Sequence, residues 1–300
     1  MSRRFAVFDV FSDKPLAGNQ LGVVYDSEGL TTKQMQAIAL EFNVAETVFL
    51  APAEQDGHAA KVRIFTTQNE LPFAGHPTVG SAIAVALDQG MDDVGQALLI
   101  LEETIGPVRC AVRFDGNAPY AAFDLPKLAT VCQPASDRLY VAEALSIEKT
   151  EIGFENHVIS NFDGGLSYDL VPVRDLSVIS KAKPVAANWR RAFGNRSHVC
   201  TYVYCRETVG AQNHFHARMF GPLDGFEEDP ATGSAVASFA GALAQFEGLP
   251  DGNHTFNIEQ GVEMGRPSLI TLEMEMSGGE FISGRIGGNA VEFSRGTLTV

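Results

Sequence analysis

Apolar and polar residues alternate along most of the chain in short runs rich in Val, Ile, Phe, Tyr and Thr, parted by clusters of Gly, Asn, Asp or Pro. That is the pattern of half-buried strands between turns. It predicts strands over 4–11 (RFAVFDVF), 19–25 (NQLGVVY), 46–51 (ETVFLA), 60–66 (AKVRIFT), 97–104 and 107–114. Further strands are expected over 198–206 (HVCTYVYCR), 214–220 (HFHARMF), 268–276 (SLITLEMEM) and 280–286. Three stretches carry the helical period instead. Residues 32–42 put Met35, Ile38, Ala39 and Phe42 on one face, with Thr31 or Thr32 as N-cap. Residues 77–89 open on Pro77 at the first helical position and close before Gly90. Residues 230–247 open on Pro230, close before Gly248 and carry Val236, Phe239, Leu243 and Phe246 on a stripe. SAIAVAL and SAVASFAGALA, in the second and third helices, are apolar nearly all round, so both helices should be buried. Two buried helices in a strand-rich chain imply two curved sheets, each wrapped about one central helix.

The chain also repeats itself. GHPTVGSA (75–82) aligns without gaps on EDPATGSA (228–235), an offset of 153 residues between positions 76 and 229. His76 then pairs with Asp229, Pro77 with Pro230, Gly80 with Gly233, Ser81 with Ser234 and Ala82 with Ala235. Upstream, VRIF (62–65) resembles ARMF (217–220), two residues out of step. Duplication of a half-size domain explains this, since both copies open an apolar helix. The expected domains are 1–117 and 118–300, divided near the turn-rich FDGNAPY (114–120), with the last residues free to return to the first domain.

Composition narrows the function. With 300 residues, 45% of them hydrophobic and 20% charged, the chain is an ordinary globular one, not disordered or fibrous. Its 22 Lys+Arg against 37 Asp+Glu leave a net charge of −15, which repels nucleic acid and anionic membranes. A local pocket for a small carboxylate remains open to it. Four cysteines without a CxxC pair suit a reducing compartment and suggest neither a disulfide framework nor a structural zinc. Asp9 interrupts the first apolar run, and no stretch of about 18 apolar residues follows, so the expected location is the cytoplasm.

A helix N-terminus carries unsatisfied N–H groups and about half a positive charge, which makes it an anion site. If the two halves face each other by pseudo-twofold symmetry, both helix starts point into one cleft, with His76 and Asp229 at equivalent positions. Residues of these types before or at Pro also serve as plain helix caps, the competing reading. Glu46, opening an apolar strand after FNVA, is either a solvated strand end or, in surroundings of low polarity, an acid–base group. His214 and His216 form an HxH pair, but no third ligand stands at suitable spacing. Phosphate-loop, dinucleotide, G-x-S-x-G and H-E-x-x-H motifs are missing, so no metal or organic cofactor is expected. The glycines of GRIGG (284–288) read as a turn or bulge.

Several of these segments resemble one family, the phenazine-biosynthesis PhzF-like proteins, relatives of diaminopimelate epimerase in fold. The resemblance rests on FDVFSDKPLAGNQLGVV (8–24), EFNVAETVFL (41–50), ELPFAGHPTVGSA (70–82), EDPATGSA (228–235) and GRIGG. It implies an α+β fold of two pseudo-symmetric diaminopimelate epimerase-like domains, each a barrel-like sheet around a central helix, with the active site between them and a homodimeric assembly. It places the family's catalytic glutamate on Glu46, its histidine on His76, and its aspartate and serine on Asp229 and Ser234. Neither helix start carries a cysteine, so racemisation by two thiols is excluded. The implied chemistry is an allylic hydrogen shift in a small amino- or hydroxy-carboxylic acid, with Glu46 removing a proton and returning it elsewhere on the same face. His76 and Asp229 would hold and polarise the substrate. Ser234 and the N–H groups after Gly75 and Gly233 would hold its carboxylate, and Asn19 in the GNQ turn is a further contact. The competing readings are a binding protein without turnover and a hydrolase using Glu46 and Asp229.

Overall fold

The computed structural model describes residues 2–196 and 199–300, folded as two compact units, Met1–Asp124 with Gly287–Val300, and Leu125–Ile286. The first contains β1 (Ser2–Val10), β2 (Asn19–Val24), α1 (Thr32–Phe42), β3 (Glu46–Ala51), β4 (Ala60–Phe65), β5 (Glu70–Leu71), α2 (Gly75–Asp88), β6 (Gln96–Glu103), β7 (Gly106–Arg113) and β8 (Tyr120–Asp124). The second contains β9 (Thr130–Val131), α3 (Arg138–Leu145), β10 (Ser160–Asp163), β11 (Ser167–Pro172), α4 (Leu176–Lys181), α5 (Ala186–Phe193) and β12 (Cys200–Cys205). It continues with β13 (Phe215–Phe220), β14 (Glu228–Asp229), α6 (Gly233–Phe246), β15 (Gly252–Gln260) and β16 (Ser268–Ser277). One long last strand, β17 (Glu280–Thr299), belongs to the second unit at its start and to the first at its end.

In the first unit β2 runs antiparallel to β1 and parallel to β3; β4 runs antiparallel to β3 and parallel to β6; β7 follows β6 and β8 follows β7 antiparallel. The late part of β17 pairs with β1, and β17 also pairs with β8, so the sheet closes into a barrel. Helix α2 packs against β1–β4 and β6–β8, and Gly75 through Ala86 are all buried. A helix apolar all round can satisfy its surface only in such an interior. At Gly80 the packing leaves no room for a side chain, since an added Cβ would collide with Leu21 Cδ2 of β2. Outside the barrel, α1 buries Met35, Ile38 and Ala39 against Val24, Phe49 and Phe65. Thr31 and Gln34 form its capping box, and Asn43 ends it in the left-handed conformation at φ 51°.

The second unit runs through the same succession of pairings. β10 and β11 are antiparallel, β11 and β12 parallel, β12 and β13 antiparallel, β13 and β15 parallel, β15 and β16 antiparallel. Helix α6 packs on β9, β10, β11 and β16. Here too a buried cluster forms beneath helices other than the central one: Val141, Ile179, Trp189, Val203 and Phe220 lie beneath α3, α4 and α5.

The fold corrects several expectations. Helix α2 starts at Gly75, not Pro77, because proline is tolerated anywhere in a first turn whose N–H groups have no intrahelical partner. Helix α6 starts at Gly233, with Pro230 in the approach to it. Helices α3, α4 and α5 lie outside the three predicted ones; they are six to eight residues long, too short to show a period. GRIGG is no turn: β17 runs straight through it, and Gly287 lets the strand pass Tyr120, whose hydroxyl an added Cβ would strike. The compact units do not divide at 117/118. Strand β8 joins the first unit through its pairing with β7, and Gly287–Val300 join it through β1. The strand expected over 198–206 begins at His198, outside the described residues, and is observed over Cys200–Cys205.

Candidate active site

Three of the seven predicted site side chains meet inside the first unit. Asn19 opens β2 and is buried; its approach turns at Gly18, φ 67°, where a Cβ would strike the Val10 carbonyl. Leu21, two residues on, pairs with Glu46 at the start of the parallel strand β3, which sets Glu46 beside the Asn19 end of β2. His76 is the second residue of α2. Its Nε2 stands 3.2 Å from Glu46 Oε2, and the Asn19 amide nitrogen stands 3.3 Å from its Nδ1. Burial drives the His76 pKa down to about 3, with a backbone hydrogen bond at Gln20 opposing weakly, so the ring is neutral at physiological pH. The Glu46 side chain keeps 17% of its surface exposed against 6% for His76, while Oε2, the oxygen facing the ring, is itself buried. A carboxylate held against a neutral, partly desolvated imidazole is suited to take a proton from carbon and return it.

Of the other predicted residues, Gly75 starts α2 in the first unit, and Asp229, Gly233 and Ser234 gather within the second, around the start of α6. Asp229 ends β14, opposite Met219 of β13. Its Oδ2 accepts a 2.5 Å hydrogen bond from the Thr232 hydroxyl. Ser234, half-buried, shares a 2.8 Å hydrogen bond with the Tyr168 hydroxyl. Gln260, fully buried at the end of β15, clamps the turn between them. Its Nε2 donates to the Asp229 carbonyl at 2.8 Å and to Thr232 Oγ1 at 3.0 Å, and its Oε1 accepts from the Thr232 N–H at 3.2 Å. Sequence reading missed Gln260, Thr232 and Tyr168. Gln260 and Tyr168 stand outside every motif and reach the turn only through sheet pairing.

Gly75 and Gly233 are the first residues of their helices, and neither preceding N-cap residue, Ala74 or Thr232, caps with its side chain. The capping reading of His76 and Asp229 therefore fails: one lies inside its helix and the other four residues before. Their expected equivalence fails as well. Phe65 and Phe220 end matching strands 155 residues apart, and the loop after β13 (221–227) is three residues longer than that after β4 (66–69). The helix starts consequently lie 158 residues apart, at 75 and 233, and His76 corresponds to Ser234. The gapless alignment at 153 is five residues out of step. Gly80 and Ser81 accordingly lie in the second turn of α2, away from its start.

The HxH pair splits. His214 accepts the Asn257 N–H at 2.9 Å, whereas His216 is buried between Glu259 (2.7 Å) and Glu263 (3.0 Å). Those two hydrogen bonds overcome desolvation and raise its pKa to about 9. Among the described residues no group of three His, Cys, Asp or Glu is arranged to hold a metal ion. All four cysteines are free, and no described helix is long and apolar enough to cross a membrane. A pocket of about 430 Å³ elsewhere on the first unit contains none of the predicted residues. Of its ionic groups, His58 pairs with Glu102 at 2.8 Å, Lys61 with Glu54 and Arg63 with Glu70, while Glu103 contacts Thr78.

Residues 8–296 match the phenazine biosynthesis-like protein family. An uncharacterized isomerase of Mesorhizobium japonicum is 46% identical over 302 residues, covering 100% of this chain and 99% of its own. The trans-2,3-dihydro-3-hydroxyanthranilate isomerase of Pseudomonas aeruginosa is 32% identical over 296 residues, covering 98% of each chain. In structure, the PhzF-family phenazine biosynthesis protein of Bacillus anthracis superposes with a TM-score of 0.88 at 24% identity, each chain covered completely. A whole-length match, relatives that are isomerases and a mixed α+β fold shared with a PhzF protein lead to one conclusion: this chain belongs to the phenazine biosynthesis-like family and is an isomerase.

Proposed function

We propose that the chain shifts a hydrogen within a small unsaturated amino- or hydroxy-carboxylic acid. The Glu46 carboxylate takes a proton from one carbon, the double bond moves, and the Glu46 carboxyl returns a proton to another carbon on the same face. The step is redox-neutral, forming one C–H bond for each one broken, and needs neither metal nor organic cofactor. The observation that carries this reading is the contact of Glu46 with a neutral, buried His76, the ring in turn held beside Asn19. His76 polarises the substrate without adding charge. In the second unit, the start of α6 beside Asp229 and Ser234 is suited to bind a carboxylate.

The test is Glu46→Gln, which keeps shape and hydrogen bonding but cannot exchange a proton. Wild-type and variant are incubated in heavy water with a panel of cyclic and acyclic unsaturated amino acids that includes trans-2,3-dihydro-3-hydroxyanthranilate, and followed by NMR. Turnover should fall about 10²–10⁴-fold, with binding little changed. Wild-type turnover in the Gln variant ends the proposal.

A further inference from the structure

The mechanism above makes no use of Glu103, the last residue of β6, although it is one of the most deeply buried carboxyl groups in the chain. Its side chain points into the barrel with Leu99 and Leu101, following the strand's alternation. Oε1 lies 2.7 Å from the Thr78 hydroxyl of α2, and the buried Oε2 has no hydrogen-bond partner among the described residues. The Thr78 hydroxyl oxygen lies at the same 2.7 Å from the carbonyl of Ala74, the N-cap residue of α2.

A hydroxyl has one hydrogen to give. If Glu103 were ionised, Thr78 would have to donate to it, and the contact with the Ala74 carbonyl would set two acceptors against each other. If Glu103 is protonated, every contact is satisfied in one direction. We propose that Glu103 is a positioning residue acting in its protonated form: its carboxyl donates to Thr78, Thr78 donates to the Ala74 carbonyl, and the relay fixes the first turn of α2, where Gly75 and His76 stand. An alanine N-cap cannot cap by its own side chain, so the relay replaces a cap from behind.

The surroundings favour the neutral form. From β7 the titratable group on this face is Cys110, whose thiol burial pushes up and keeps protonated. From β4 the buried residues are Ala60, Val62 and Ile64, while Lys61 and Arg63 alternate to the other face and pair with Glu54 and Glu70. Helix α2 adds His76, itself neutral, two residues and roughly 200° around from Thr78. Lys61 and Arg63, which line the same cavity as Glu103, are engaged by Glu54 and Glu70, and burial pushes the Glu103 carboxyl up to about 8 against the pull of Thr78.

The proposal rests on the reading of α2's start as part of the active site, but its first test does not. Infrared spectra of wild-type protein at pH 7 should show a protonated-carboxyl band that is absent in Glu103→Gln and that disappears as pH rises through about 8. Turnover of trans-2,3-dihydro-3-hydroxyanthranilate should decline over the same range in wild type and not in Glu103→Gln, whose amide still donates to Thr78. Thr78→Val should lower kcat/KM by up to about 10²-fold through misplacement of the helix start, and Thr78→Ser should restore it. A missing infrared band, or wild-type turnover in a folded Thr78→Val, overturns the relay. Undiminished turnover in Glu46→Gln overturns the active-site reading instead, while the infrared band still reports on Glu103.

Discussion

Two buried histidines, one in each unit, differ in charge. His76 in the first is neutral, with a pKa near 3; His216 in the second is an imidazolium, with a pKa near 9. Both are 5% exposed or less, so burial alone does not separate them. Partners do. His216 has a carboxylate on each ring nitrogen, and Glu259, itself held down to about 2, also accepts the N–H groups of Val209 and Gly210. His76 has the single Glu46 carboxyl, left partly exposed. The saturated, closed pair is a structural staple. The other pair leaves part of the Glu46 side chain exposed, which is what a catalytic site requires. The helix starts differ in the same way: one places a histidine in its first turn, the other a serine with the aspartate set outside.

The widest gap should appear in stability. His216→Leu leaves Glu259 buried without its imidazolium partner and should cost about 3–5 kcal/mol in chemical denaturation. An unchanged midpoint would mean that water already screens the pair.

Next comes activity. His76→Ala and Asp229→Ala should each lower turnover about 10²–10³-fold, as the loss of a positioned polar group does. Because neither residue caps a helix, Asp229→Ala should melt close to wild type, whereas His76→Ala, emptying a buried site, should melt earlier. Equal melting losses with normal turnover would restore the capping role.

The pH dependence of stability should slope in opposite directions. For His216 the folded pKa lies above the unfolded value of 6.5, so its contribution is full below pH 6.5 and lost as pH rises through about 9. For His76 the folded pKa lies below 6.5, so the unfolded chain binds more protons and stability falls as pH drops from 6.5 toward 3. At 1.36 kcal/mol per pH unit the His216 arm amounts to about 3 kcal/mol and the His76 arm to about 5. Replacing either histidine by Gln should flatten its own arm alone, as read by melts across the pH range.

The smallest effects concern the two central helices. Gly80→Ala in α2 sets a methyl against Leu21, and Gly241→Ala in α6 sets one against Phe162. Each should cost about 1–3 kcal/mol. The Gly80 variant should also disturb turnover, since α2 carries His76. If both variants lose only stability, the placement of α2 matters less than its presence.

Much of the candidate site was legible in the chain's own order. Glu46, His76, Asp229 and Ser234 stand in the motifs that carry the family resemblance, and Gly75 and Gly233 mark helix starts. Gln260 was not legible, since a glutamine closing a strand looks like any other until sheet pairing brings it against the 229–232 turn. The repeat misled for a related reason. Identity of GSA between two helices shows that both are small and apolar there, and says nothing of the loop length that sets where each helix begins.

By itself the sequence determined the elements whose cause is local. Alternation made the strands, Thr31 with Gln34 capped α1, and the all-round apolar faces of α2 and α6 required burial. The tertiary structure alone decided what depends on distant partners. It brought together Asn19, Glu46 and His76 from three separate elements, and it returned Gly287–Val300 to the first unit through β1. It also left one histidine neutral and the other charged. A side chain's charge and aim follow from the groups that desolvate and hydrogen-bond it, and folding, not sequence spacing, selects those groups.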